Sequence, residues 1–295
     1  MSSKPITIYD VAPGRTLDGH YRVVRANRQG GFSTAFEVED TRDGSRWEMQ
    51  LFPSGLFDKP DQAGEFRSLL EPWNAVACES VSRVRQVIDI PPDGLALITE
   101  LPQGESLRTR LNREKRLDRD EVVALGMRLL LGLAELHGRG LVHGDIKPYT
   151  IHVQGRGADT RPKLVDGGIT PGLWTAKDLG DKTTLIGTPY YAPVEQFGGD
   201  APDVRSDIYN LATVLYESLC GVLPWAGRTF LEVFQSKLND PPPMKKRASE
   251  VEVDPALEEA IRHGCLADRN RRYASAEEFQ HALQGLGPGD QRTAT

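Results

Sequence analysis

The stretch that decides the fold reads Leu141-Val142-His143-Gly144-Asp145-Ile146-Lys147-Pro148. It lies between a helical pattern and a short apolar run, so we expect it to form a loop. The segment Leu164-Val165-Asp166-Gly167-Gly168 follows, with its aspartate 21 residues after Asp145, and Gly187-Thr188-Pro189 begins 21 residues after Asp166. A single loop aspartate is typical of a turn or a helix cap, whereas several motifs in a fixed order indicate one functional site.

Composition and charge exclude several classes of protein. The chain has 295 residues, of which 39% are hydrophobic and 26% charged, too apolar a composition for global disorder. Its net charge of −6 argues against a nucleic-acid binder and a polybasic membrane anchor. The three cysteines lack paired spacing, which excludes a disulfide framework and a cysteine zinc site. We see no secretory signal or apolar span, and we predict a cytoplasmic protein with no nucleic-acid or membrane partner.

The hydrophobic pattern divides the chain into two parts. Strand-like runs occupy residues 21–52, 84–90 and 96–101, with a helical run over 62–70. After residue 103 the period becomes helical. The first long helix has Asp118 as N-cap and an apolar stripe formed by Val122, Leu125, Leu129, Leu133 and Leu136. Short strands at 151–153 and 163–165 and an irregular stretch to about residue 201 follow, and further helices are predicted over residues 206–219, 230–238, 255–265 and 275–283.

These patterns predict an α+β fold of two lobes. We expect an N-terminal arm over residues 1–18, one domain over 19–286 and a disordered tail over 287–295. Within the domain, the small β-rich N-lobe covers about 19–101 and the larger helical C-lobe about 104–286.

The order of the motifs resembles the protein kinase family, in particular the bacterial serine/threonine kinases of the eukaryotic type. The resemblance covers roughly residues 21–286 and implies the two-lobed kinase-like fold. Phosphoryl transfer needs a carboxylate that orients the attacking hydroxyl and accepts its proton, and the resemblance gives this role to Asp145. It makes Lys147 the cation beside the transferring phosphoryl group and Asp166 the ligand of Mg²⁺.

Two further matches concern architecture. Asp207, in Ser206-Asp207-Ile208-Tyr209, resembles the aspartate that braces the catalytic loop of the family. Arg272 resembles the late arginine that pairs with an acidic residue after the activation segment, here Glu195. Both matches predict an intact C-lobe.

The departures from the family cluster at the predicted nucleotide site. Gln50 stands where the third strand has the lysine that contacts the phosphates, and no register shifted by one residue recovers a lysine. Glu48 stands where a small alanine covers the adenine. The glycine-rich loop retains only Gly30, with Arg28 and Ser33 in place of its flanking glycines. Arg28 remains a candidate to supply charge to the phosphates.

Other positions of the cofactor site also differ. Glu100 and Pro102 lie in the predicted hinge between the lobes, where proline lacks the N–H that usually meets adenine. Thr150 replaces the asparagine that holds a second Mg²⁺. Gly144 replaces the arginine before the catalytic aspartate, which argues against switching by phosphorylation of the activation segment. The residues predicted to face the cofactor are Gly30, Gln50, Glu100, Pro102 and Thr150.

We therefore predict a pseudokinase that acts as a protein-binding or regulatory scaffold, with ATP and Mg²⁺ binding weak or absent. The alternative is an active serine/threonine kinase that transfers the γ-phosphate of ATP to a protein hydroxyl, with Asp145 as base and Asp166 on Mg²⁺. Its candidate phosphosites are Thr183, Thr184 and Thr188. A third reading, a different nucleotide transfer through Asp166, has no specific support. In each kinase reading the partner or substrate is a protein, and the oligomeric state is not predicted.

Overall fold

A six-stranded antiparallel sheet forms the first part of the structure, a computed structural model that describes residues 11–29, 32–53, 55–91, 94–179 and 189–286. The strand order is β1-β2-β3-β4-β6-β5. The strands are β1 (Thr16–Leu17), β2 (Tyr21–Gln29), β3 (Thr34–Asp40), β4 (Arg46–Phe52), β5 (Val84–Ile90) and β6 (Gly94–Glu100). The predicted strands are confirmed, and the end of the predicted N-terminal arm contributes β1, which pairs with β2.

Alternation along the strands separates the two faces of this sheet. One face packs into a core that includes Tyr21, Val38 and Met49. On β4, Met49 and Leu51 point into that core, so Glu48 and Gln50 lie on the opposite face. Both of these polar side chains are nevertheless buried.

The chain divides into two compact units. The first holds the described residues up to Ala77 together with Ser82–Pro102 and Gly172–Asp178. It contains the sheet and α1 (Pro60–Leu70). The second holds Cys78–Val81, Gln103–Pro171 and the described residues from Leu179 onward.

Helices dominate the second unit. A small sheet in the order β7-β8-β9 accompanies them. The elements are β7 (Glu105–Ser106), α2 (Leu107–Glu114), α3 (Arg119–Gly138), β8 (Ile151–Gln154), β9 (Arg161–Leu164), α4 (Ile169–Ala176, which continues into the first unit), α5 (Val194–Phe197), α6 (Val204–Cys220), α7 (Phe230–Lys237), α8 (Met244–Arg247), α9 (Pro255–Gly264) and α10 (Ala276–Leu283).

Helix α3 has the N-cap and the buried apolar stripe that its sequence predicts. Asp118 is the N-cap, and its carboxylate accepts a hydrogen bond from the backbone N–H of Glu121 at 2.8 Å. The predicted apolar stripe is fully buried and packs against α6 and α10. The other predicted helices also occur, with ends that differ by at most two residues. No helix of the described residues is long and apolar enough to cross a membrane.

The prediction of an irregular stretch between residue 165 and about 201 is wrong where α4 and α5 form. Helix α4 is not predicted from the sequence because it contains Pro171 and Gly172, and both residue types disfavour a helix interior. Pro171 lies in the first turn, where its missing N–H does no harm. Leu173 and Trp174 are buried and supply the packing that stabilises the helix.

The predicted pair of Glu195 and Arg272 is confirmed. Arg272 donates from Nη1 to Glu195 Oε1 at 2.6 Å and from Nη2 to Oε2 at 2.9 Å, and its side chain is fully buried. The guanidinium also donates to the carbonyl oxygens of Leu266 and Ala267 and lies over the ring of Tyr209. This residue therefore connects three segments of the second unit.

We expect Arg272→Met to lower the free energy of unfolding by about 3–5 kcal/mol, because it leaves the Glu195 carboxylate buried without its cation. Arg271→Met is the matched control, since the Arg271 side chain is 57% exposed and its ion pair is with the exposed Asp240; its cost should stay below about 1 kcal/mol. Urea denaturation followed by circular dichroism measures both. Equal costs would contradict the structural role of the pair.

Candidate active site

The candidate site residues fall in both units. In the second unit, Asp207 organises the loop that carries Asp145. Its Oδ1 accepts from the backbone N–H of Gly144 at 2.7 Å, and its Oδ2 accepts from that of His143 at 2.8 Å. His137 Nε2 lies 3.0 Å from the same Oδ2. The predicted bracing role of Asp207 is confirmed.

His143 connects the two aspartate loops of the second unit. Its buried ring donates from Nε2 to the carbonyl oxygen of Val165 at 3.0 Å, and Nδ1 accepts from the backbone N–H of Asp145 at 3.3 Å. These two bonds specify the neutral tautomer with the proton on Nε2. No motif of the sequence indicates this connecting role, which emerges from the structure.

Asp145 and Lys147 lie side by side. Lys147 Nζ donates to Asp145 Oδ2 at 2.6 Å. Burial raises the pKa of the Asp145 carboxyl above its ordinary value, while the Lys147 ammonium acts in the opposite direction. A carboxylate with a raised pKa and an adjacent cation is an arrangement suited to accepting a proton from a hydroxyl.

Thr150 closes the same loop. Its hydroxyl donates to the carbonyl oxygen of Asp145 at 2.8 Å and accepts from the backbone N–H of Lys147 at 3.1 Å. The side chain is buried, so these bonds tighten the loop from within. The role of Thr150 at a second Mg²⁺ stays a prediction.

Asp166 follows β9 in a left-handed backbone conformation, with φ of +66°. Aspartate is one of the few residues that tolerate this region, and such strain collects at functional sites. The neighbouring Val165 N–H donates to the carbonyl oxygen of Thr150 at 2.9 Å, which connects this turn to the loop that carries Asp145. A carboxylate is the kind of ligand that Mg²⁺ takes, and this role of Asp166 likewise stays a prediction.

Gly144 has a structural reason to be glycine. Its φ is +79°, and a Cβ there would lie 2.5 Å from Cδ of Pro171 and 3.3 Å from Cβ of Pro202. An arginine, the family residue at this position, therefore does not fit this backbone. The packing of the loop against Pro171 and Pro202 thus explains why position 144 is a glycine.

In the first unit, Glu48 carries the most informative contacts. Its fully buried carboxylate accepts from Arg28 Nη2 at 2.5 Å and Arg28 Nε at 3.2 Å, and from Asn27 Nδ2 at 2.6 Å. The register of β2 against β3 shifts between Ala26 and Arg28. This bulge adds one residue to β2 and re-aims its side chains, so that two consecutive residues reach one carboxylate. The Arg28 guanidinium, a candidate for phosphate binding in the sequence, thus pairs with Glu48.

Gln50 lies two residues along β4, on the same face as Glu48. It is paired in register with Ala35 on β3 and Leu97 on β6. Its Oε1 accepts from the hydroxyl of Ser33 at 3.5 Å. Where the family pattern has a lysine, this chain therefore has a buried, neutral amide.

The predicted hinge continues from β6. The Glu100 carbonyl oxygen accepts from the hydroxyl of Ser82 at 3.4 Å, and the Glu100 N–H donates to the carbonyl oxygen of Arg83 at 2.8 Å. Pro102, which has no N–H, ends this segment of the first unit. Gly30 and the candidate phosphosites Thr183, Thr184 and Thr188 lie outside the described residues.

In helix α1, Leu69 stands near the place of the glutamate that the family pairs with the strand lysine. A Cβ on Gly172 of α4 would lie 3.8 Å from Leu69 Cβ and 3.0 Å from Phe66 Cε2. Residue 69 therefore faces an apolar contact between α1 and α4. A carboxylate would be unfavourable against that helix.

A family model described as the protein kinase domain matches residues 29–283. The chain belongs to the protein kinase family. It is similar to the serine/threonine-protein kinase PknA of Mycobacterium tuberculosis, with 28% identity over 280 residues that make up 94% of this chain and 63% of that protein. It is similar to the serine/threonine-protein kinase pkn3 of Myxococcus xanthus, with 26% identity over 279 residues, 92% of this chain and 51% of that protein.

A shorter match has higher identity. The serine/threonine-protein kinase PkaB of Streptomyces coelicolor is 40% identical over 151 residues, which cover 49% of this chain and 36% of that protein. The kinase chain described here thus spans only part of the length of these relatives.

We expect Gly144→Ala to destabilise this kinase fold more than Gly140→Ala does. Both glycines have positive φ, but a Cβ at Gly140 meets no atom within 4 Å. The backbone cost of about 1–2 kcal/mol is shared, and the clash with Pro171 adds about 1–3 kcal/mol at position 144 alone. Thermal unfolding of the two variants gives the comparison. Equal losses would show that the loop moves away from the prolines at little cost.

Proposed function

We propose that this chain is a pseudokinase that serves as a protein-binding or regulatory scaffold and binds ATP weakly or not at all. The observation that carries the proposal is the bidentate pairing of Arg28 with the buried carboxylate of Glu48. In the family a small residue covers adenine at position 48 and a glycine-rich loop occupies the position of Arg28.

The magnitude of this interaction supports weak binding. Moving the Arg28 guanidinium to a phosphate would leave the buried Glu48 carboxylate without its cation, with the Asn27 amide as its remaining donor among the described residues, at a cost of about 3–5 kcal/mol. A ligand with a Kd of about 1 µM binds with about 8.2 kcal/mol. Losing about 4 kcal/mol of that raises Kd to about 1 mM. The residues of the first unit thus do not fit a nucleoside triphosphate.

Two further positions, Gln50 and Pro102, are also expected to weaken the interaction with ATP. Gln50 is neutral where the family has a phosphate-binding lysine, and removing one such electrostatic donor typically costs about 2.7–4 kcal/mol of transition-state stabilisation. Pro102 removes one adenine hydrogen bond, worth about 1 kcal/mol. Together these losses favour a role in binding over a role in catalysis.

The partner of the scaffold is proposed to be a protein, because protein kinases act on proteins. The acidic net charge supports the absence of a nucleic-acid partner. A cytoplasmic location and a kinase domain bounded at residues 19 and 286 belong to the same proposal.

The second candidate is an active serine/threonine kinase, and a specific observation favours it. The pair of Asp145 and Lys147, held by His143 and Asp207, has the arrangement that a catalytic base needs. In this candidate Asp145 would accept the proton of the attacking hydroxyl, and Asp166 would hold the Mg²⁺ that neutralises phosphate charge.

A thermal-shift titration with ATP and Mg²⁺ separates the two candidates. Binding raises stability by RT ln(1 + [L]/Kd), so a Kd of about 1 mM or weaker gives a shift below about 0.4 kcal/mol at 1 mM ATP. We expect no resolvable change in Tm. A clear Mg²⁺-dependent rise that Asp166→Asn abolishes would contradict the proposal, as would phosphoryl transfer lost in Asp145→Ala.

The variant Glu48→Ala/Gln50→Lys should gain nucleotide binding. It removes the carboxylate that pairs with Arg28 and adds a cation on the same face of β4, so we expect ATP affinity to rise about tenfold or more. Glu39→Ala is the control, because it removes a carboxylate from β3 whose partners are the exposed Arg22 and Arg46. Calorimetric titration measures both. A folded double variant that binds ATP no better than the control would contradict the blocking role of Glu48.

A further inference from the structure

Lys237, the last residue of α7, is fully buried in the second unit. Its Nζ donates to the carbonyl oxygen of Tyr190 at 2.9 Å and to the hydroxyl of Tyr209 at 3.2 Å. Tyr209 belongs to α6, and Tyr190 lies in the segment that precedes α5. One amine therefore holds α7 against two other parts of the second unit.

Among the described residues, no carboxylate lies within ion-pair distance of the Lys237 amine. Glu195, the acidic residue whose charge acts on this amine, accepts from both terminal nitrogens of Arg272. The Arg272 guanidinium lies 4.6 Å from the centre of the Tyr209 ring and adds a like charge to the surroundings of Lys237. A buried cation without an ion-pair partner is costly, because burial removes the water that would stabilise its charge.

The number of hydrogen-bond acceptors also favours the neutral amine. An ammonium has three N–H donors and a neutral amine has two. The described part of the chain offers two oxygen acceptors, those of Tyr190 and Tyr209. The rings of Tyr209 and Trp225, centred 5.0 and 5.5 Å from Nζ, attract a cation but supply no oxygen for a third donor. The surroundings of Lys237 thus suit its neutral form.

The titratable groups around Lys237 leave it as the one that changes charge near neutral pH. Burial lowers the pKa of the Lys237 amine to about 7, and the Arg272 guanidinium acts in the same direction. Burial raises the pKa of the Cys265 thiol to about 12 and that of the Tyr209 hydroxyl well above its ordinary value, so both groups keep their protons. Glu195 and Arg272 are paired with each other.

We propose that Lys237 makes the attachment of α7 to α6 and to the segment at Tyr190 sensitive to pH, so that acidification charges the buried amine and loosens this attachment. Local opening of α7 returns the amine to water, where it takes up a proton without the cost of burial. Protons therefore favour the open form over the closed form. The proposal goes beyond the proposed function, because it holds whether or not the chain binds nucleotide.

The direction and size of the effect follow from the two pKa values of the amine, about 7 when buried and 10.5 in water. Between these values the open form carries a proton that the closed form lacks, so the closed form loses stability as the pH falls. Below about pH 7 both forms are protonated and the effect levels off. The opening constant should rise about fivefold from pH 8 to pH 7 and about tenfold from pH 8 to pH 6.

Amide hydrogen exchange of the full chain, corrected for the intrinsic pH dependence of exchange, measures this opening in residues 190–192 and 230–238. We expect the opening constant to rise about tenfold between pH 8 and pH 6 in the wild-type chain. Lys237→Met should lose this rise, because it has no titrating group at the position. Lys245→Met is the matched control and should keep the rise, since Lys245 is exposed. An equal rise in Lys237→Met, or none in the wild-type chain, would overturn the proposal.

Titration of the lysine side chains by carbon NMR at Cε tests the charge of Lys237 directly. One lysine signal of the wild-type chain should shift with a midpoint near pH 7, whereas ordinary lysines titrate near about pH 10.4. That signal should be absent from Lys237→Met and from Lys237→Gln, which keeps an N–H donor and serves if the methionine variant is unfolded. A wild-type chain whose lysines all titrate above about pH 9 would overturn the proposal.

Discussion

A buried carboxylate must find partners, and in this kinase fold that constraint falls on Glu48. The alternation of β4 puts Glu48 on the face opposite the sheet core, and the structure leaves it no access to solvent. The bulge in β2 supplies Asn27 and Arg28 as donors. The position that the family keeps small and the loop that it keeps glycine-rich have therefore changed together, and one interaction accounts for both departures.

The second unit retains the aspartates of the family motifs, whereas the first unit departs from the family at Glu48 and Gln50. Asp207 and His143 hold the loop of Asp145 through backbone and ring hydrogen bonds. Those bonds also connect α6 to the turn at Asp166, so they stabilise the second unit whether or not the chain binds a nucleotide. Preserved geometry in the loop is consequently compatible with a scaffold, and the fit of Gly144 against Pro171 shows that packing shapes this loop.

Much of the fold follows from the sequence because local signals agree with tertiary packing. The stripe of α3 behind Asp118 and the strand alternation of β4 are examples, and the pair of Glu195 and Arg272 follows from the family pattern. Helix α4 escaped prediction because Pro171 and Gly172 obscure its period. The pairing of Glu48 with Arg28 was not predicted either, because it depends on a β-bulge in β2 that has no signature in the sequence. The burial of Lys237 escaped prediction too, because a lysine is ordinarily expected at the surface.

The energetic coupling between Arg28 and Glu48 tests the central claim most directly. A double-mutant cycle with Arg28→Met, Glu48→Leu and both together, measured by urea unfolding, isolates it. The account predicts a coupling of about 1.5–3 kcal/mol, well above that of the exposed pair Arg22–Glu39, for which less than about 1 kcal/mol is expected. Additivity of the Arg28 and Glu48 changes within about 0.5 kcal/mol would contradict the claim that Glu48 holds the charge of Arg28.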